Sequence, residues 1–106
     1  MSNGDKRHTV IISDEAVQML ISHARFLAQV SETAAHSLIE EFDKKAKSLE
    51  KLPKRNPLLD DPLIPTGKYR KLLMAKRYML IYQVKGDIDY IDAVIDCRQD
   101  YGWILR

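Results

Sequence analysis

The sequence predicts an α+β fold in which an N-terminal strand and an antiparallel helical hairpin pack with a small, mainly antiparallel sheet. Three observations lead there: one β-branched run near the N-terminus, two consecutive segments with helical apolar spacing, and three strand-like segments after residue 68. A chain of 106 residues, 45% hydrophobic and 30% charged, has the size and make-up of one domain, taken as 1–106.

Thr9-Val10-Ile11-Ile12-Ser13 follows a polar leader and suits a buried strand better than a turn of helix. Ser13 then caps a helix over about residues 14 to 29, with Asp14 and Glu15 in the first turn, where the macrodipole favours negative charge. Val17, Leu20, Ile21, Ala24, Leu27 and Ala28 recur at three and four, one face of that helix. Ser31-Glu32 repeats the start signal, and Ala35, Leu38, Ile39, Phe42, Ala46 and Leu49 form the second stripe, which ends before Pro53. So short a link makes the pair an antiparallel hairpin whose stripes need a sheet to cover them.

All four prolines, Pro53, Pro57, Pro62 and Pro65, fall in the next stretch, a long loop that Leu58, Leu59, Leu63 and Ile64 would pin to the body. Strands are expected at Tyr69 to Met74, Tyr78 to Val84 and Ile88 to Cys97, with turns near Ala75-Lys76 and at Lys85-Gly86-Asp87. In the last strand, alternation sends Ile91, Ala93, Ile95 and Cys97 toward the helices and Tyr90, Asp92, Val94, Asp96 and Arg98 outward.

The balance of 17 Lys+Arg against 15 Asp+Glu excludes a strongly basic arm and an acidic tail. Cys97 is the one cysteine, so no intramolecular disulfide forms and no zinc-type Cys/His set can be assembled around it; no cofactor is expected. Met1 to His8 is polar and apolar runs are short, which points to a cytoplasmic protein with no membrane partner.

Five cations lie within the ten residues from Lys68 to Arg77, namely Lys68, Arg70, Lys71, Lys76 and Arg77, with no acid among them. If paired strands bring the ends of this segment together, Arg98 and the nearby Tyr69, Tyr78 and Tyr101 complete a small phosphate-binding surface with rings able to stack on bases. The competing account makes these ordinary solvated cations, balanced by Asp87, Asp89, Asp92, Asp96 and Asp100. His8, His23 and His36 all lie in the N-terminal half, and the last two read as surface residues of the hairpin. RNA cleavage would therefore rest on Arg70, Arg77 and Arg98 at a pentavalent phosphate, with Tyr101 or Asp100 moving the proton.

Tyr69-Arg70-Lys71, the run Tyr78-Met79-Leu80-Ile81-Tyr82-Gln83-Val84 and the ending Val94-Ile95-Asp96-Cys97-Arg98-Gln99-Asp100-Tyr101 resemble a RelE/ParE superfamily toxin over nearly the whole chain. The resemblance implies the strand-helix-helix-three-strand order and a cognate antitoxin that wraps and neutralises the toxin in a hetero-oligomer. It also implies one of two targets: DNA gyrase, inhibited without RNA cleavage, or mRNA cut in the ribosome. In the nuclease case Arg70, Arg77, Arg98 and Tyr101 are the catalytic candidates, and Lys68, Tyr69, Lys71 and Lys76 contact nucleic acid or target. Leu72 and Met79 stand where ribosome-dependent nucleases of the family carry a lysine and an arginine, and Tyr101 comes earlier than the family's tyrosine. The two long capped helices followed by a proline-bearing loop resemble the ParE side.

Overall fold

The computed structural model describes residues 7–60, 62 and 65–98. Its elements are β1 (Thr9–Ile12), α1 (Asp14–Ala28), α2 (Glu32–Ser48), a 3-10 turn (Pro53–Arg55), β2 (Arg70–Met74), β3 (Tyr78–Lys85) and β4 (Ile88–Asp96). Both helices begin where the serines place them. Ser13 Oγ accepts from the Ala16 N–H at 3.0 Å and Ser31 Oγ from the Ala34 N–H at 3.1 Å, which satisfies amides that have no intrahelical partner.

The sheet order is β1-β4-β3-β2, with β2-β3-β4 an antiparallel meander and β1 parallel to β4. Gly86 takes φ 60° at the β3–β4 turn, the left-handed conformation a tight hairpin needs at that position. The β2–β3 link places Ala75 and Lys76 at φ 48° and 70°, so two residues with Cβ atoms hold a conformation that glycine adopts more easily.

Two expectations about the strands are corrected. β1 is not buried: it is the sheet's edge, with Ile11 and Ile12 exposed, because only β4 pairs with it. Nor does β4 keep one alternation. The register runs from Ile81↔Ala93 to Tyr82↔Ile91, leaving Asp92 as an extra residue, and this bulge exchanges the faces on either side of it. Ile91 and Val94 thus both join the helix-side core, whereas Ala93 and Ile95 pack on the opposite face.

The helix-side core joins Ala16 and Leu20 of α1 and Leu38, Phe42, Ala46 and Leu49 of α2 to Met74, Tyr78, Leu80 and Tyr82 of the sheet. On the other face Leu59 and Tyr69 close over Met79, Ile81, Ala93 and Ile95. The proline segment is therefore pinned, through Leu59 and through main-chain pairing to β2, while Leu58 is exposed and Leu63 and Ile64 lie outside the described residues. The sheet covers only part of the helical stripes. Val17 and Ala28 stay exposed, and Ile21, Ala24, Ala28, Ala35 and Ile39 line an open groove between the helices. No helix among the described residues is long and apolar enough to cross a membrane.

Candidate functional site

The sheet register separates the arginines that would have to converge on one phosphate. Arg70 lies opposite Tyr82 and the turn bearing Arg77 begins after the Met74↔Tyr78 pair, so the ends of the basic segment do not meet. Four residues of ladder span roughly 13 Å. Arg70 donates from Nη1 to the carbonyls of Lys54 and Asn56, at 3.0 and 2.6 Å, and so braces the 3-10 turn against the sheet. Tyr82, fully buried, completes the brace by donating to the Pro53 carbonyl and accepting from Asn56 Nδ2.

Arg98 is engaged just as closely. Its Nε and Nη2 grip the two oxygens of Asp96 at 3.1 and 2.8 Å, and its own N–H donates to Oδ1 at 3.0 Å. Arg98 holds the Asp96 carboxyl below the usual carboxylate range through these bonds, so the pair's charge is largely cancelled locally. Arg77 sits beside it, since its carbonyl accepts the Cys97 N–H at 2.7 Å, and Arg77 and Lys76 are exposed. Tyr69 and Tyr78 are 6% and 3% exposed, so neither ring is open to a base. The Lys68 ammonium lies 5.2 Å from the Tyr69 ring centre, and Lys71 is half-buried on β2. Tyr101 and Asp100 lie outside the described residues.

The surface reading holds for one histidine of the hairpin and fails for the other. His36 is exposed, but His23 turns inward: its Nε2 lies 2.8 Å from the Val94 carbonyl and its ring 5.1 Å from that of Tyr78, tying α1 to β4 and β3. His8 Nδ1 lies 2.9 Å from Oδ1 of Asp89, a carboxylate fully buried in β4 whose Oδ2 has no partner in the structure. Among the described residues no group of three His, Cys, Asp or Glu side chains is placed to hold a metal ion.

Burial pushes the Asp89 carboxyl above its ordinary value, and the neighbouring His8 pulls it part of the way back. Because the folded value exceeds the unfolded one, the folded state binds more protons in the window between them, and Asp89's contribution to stability falls as pH rises through it. Asp89→Asn removes the buried charge and keeps an acceptor for His8. We expect its urea midpoint to exceed that of the wild type at pH 7, with the difference shrinking as pH drops toward about 4. A difference independent of pH, from parallel urea titrations, would show that the ionisation of Asp89 is not its source.

Among the described residues, an interhelical groove and a strand edge suit a protein partner. The interhelical groove has a volume of about 440 Å³; its apolar lining is flanked by Arg25, Glu32 and His36. The second is the far half of the β2 edge. Segment 57–59 covers the near half, through Lys71 N–H to the Pro57 carbonyl at 3.0 Å and Leu59 N–H to the Tyr69 carbonyl at 2.8 Å. Main-chain groups alternate sides along an antiparallel strand, so Leu73 is the next residue to face outward, and its side chain is 57% exposed.

A family model described as the ParE toxin of type II toxin-antitoxin system, parDE, matches residues 10–101. No curated protein matches the chain. Among solved structures, the fold is similar to a chain of the chromosomal ParDE TA system from P. aeruginosa, with a TM-score of 0.68 at 12% identity over 86% of this chain and 97% of that one. The two helices on a four-stranded mixed sheet and the family match over residues 10–101 agree: the chain belongs to the ParE toxin family of type II toxin-antitoxin systems.

Proposed function

We propose that this chain is a cytoplasmic growth inhibitor that acts on DNA gyrase without cutting RNA, and that a cognate antitoxin suppresses it by laying an amphipathic helix in the α1–α2 groove. The observation that carries the choice of target is the dispersal of the arginines. Cleavage of RNA without a metal needs cations gathered around the developing pentavalent phosphate. Here Arg70 is spent on two carbonyls and Arg98 on Asp96, at sites separated by the length of a strand pair.

The antitoxin part rests on the groove, whose alanines let another helix approach closely and whose Ile21 and Ile39 offer apolar contact. The partner fitting it has an apolar helical face and acidic flanks that complement the toxin's cations. Purified toxin is expected to block supercoiling by gyrase while a reporter mRNA stays intact by primer extension after brief induction. Codon-positioned cuts that disappear in Arg98→Ala would replace this reading with a ribosome-dependent nuclease. A folded protein with neither effect would leave a non-toxic binding module of the same fold.

A further inference from the structure

At the opposite end of α2 from the groove, Arg7, Lys44, Lys47, Lys51 and Arg55 line a hollow of about 420 Å³ with one carboxylate, Glu50, in its wall. Three separate segments build it: Arg7 two residues ahead of β1, the end of α2 with the residues just after it, and the 3-10 turn that Arg70 and Tyr82 brace. Glu50 is engaged with Arg7 at 3.1 Å. Among the described residues Lys44, Lys47, Lys51 and Arg55 have no carboxylate partner, and all four are exposed.

Cations near a helix C-terminus have an ordinary role, since they complement a macrodipole worth about half a negative charge. One lysine suffices for that, and Lys45, which pairs at 3.9 Å with Glu41, lies in the last turn outside the hollow. Five cations against one carboxylate is a surplus in a chain whose formal net charge is only +2.

We infer that this hollow is a binding surface for the phosphate backbone of duplex DNA. Its chemistry selects among anionic partners. The lining holds no aromatic ring, so it lacks the stacking platform on which single-stranded nucleic acids are held. It holds no apolar side chain either, so an acidic peptide would find no anchor beside its charges. The cations stand exposed around a rim on flexible stems and do not converge on a buried point, as the donors of a small-phosphate site would. A repeating backbone of phosphates matches spread, mobile charges, because each contact releases a condensed counterion wherever it forms.

The test is fluorescence anisotropy of the full chain with a mixed-sequence duplex of about 20 base pairs across about 50 to 200 mM salt. With about four phosphates neutralised, the logarithmic salt slope is near −3.6, and affinity falls on the order of 150-fold over that range. Lys44→Gln/Lys47→Gln/Lys51→Gln should reduce the slope by about 2.7 and weaken binding at least about tenfold at the lower salt. An unchanged thermal midpoint would show that this variant folds, as expected for exposed side chains. Arg25→Gln, at an exposed cation in the last turn of α1 and outside the hollow, should bind nearly as the wild type does. Failure of the wild type to bind, a loss confined to the second variant, or equal affinity for polyglutamate of matched charge would each overturn the proposal.

Discussion

Ala35→Glu should cost about 100-fold in affinity for the antitoxin, about 2.8 kcal/mol, and leave the fold intact. Ala35 lies in the groove near the start of α2, where an added carboxylate meets the positive end of the helix dipole and can swing its head toward solvent. The free toxin therefore tolerates it. In the complex the same carboxylate would be pressed against an apolar helical face and stripped of its water, a desolvation that costs several kcal/mol and that Arg25 at the groove's flank offsets only in part. Calorimetric titration of the antitoxin would read the loss directly. In cells, growth arrest by the variant should no longer be relieved by co-expressed antitoxin. Unchanged affinity would remove the groove as the docking surface and leave the open half of the β2 edge at Leu73 as the place to test next.

The parts of the fold that depend on neighbours in sequence are legible in the sequence. Ser13 and Ser31 mark both helix starts, Pro53 follows the end of α2 closely, and Gly86 sits in the hairpin turn that its freedom from a Cβ requires. The parts that depend on which strand lies beside which are not. Nothing in Ile91-Asp92-Ala93 announces a bulge, because its signature is a pairing partner about ten residues away, one residue out of step. The edge position of β1 likewise follows from its parallel pairing with β4 across the whole chain, and β-branched composition reads the same on an edge as in the middle of a sheet.

The same division governs the candidate sites. The cations between Lys68 and Arg77 stand out as a run, yet register decides whether they converge, and it places Arg70 and Arg77 at opposite ends of a ladder. The fork between Arg98 and Asp96, by contrast, is a contact between residues two apart, within reach of sequence reasoning. The basic hollow had a signal as well. Six cations, Lys44, Lys45, Lys47, Lys51, Lys54 and Arg55, face only Glu50 between residues 44 and 55. An amphipathic helix and a proline loop share that stretch, so its charges divide between two elements when read one element at a time, and Arg7 reaches them only through the fold.

The two phenylalanines separate periodicity from composition. Phe42 falls on the apolar stripe of α2 and is 3% exposed in the core with Leu38, Leu49 and Leu80; Phe26 falls off the stripe of α1 and is 61% exposed. Phe42→Ala removes a full aromatic side chain from between α2 and the sheet and leaves a cavity its neighbours only partly fill, at a cost of about 3–5 kcal/mol. Total stabilities run at about 5–15 kcal/mol, so most of the margin goes. At about 4–8 °C per kcal/mol for a domain near this size, the thermal midpoint should drop by more than about 12 °C. Phe26→Ala should change stability by less than about 0.5 kcal/mol, because its ring gives up little buried area. Thermal melts of the two variants side by side check both values. Similar losses would mean that the outer face of α1 is covered in solution, and a larger loss at Phe26 would reverse the assignment of which helix face meets the sheet.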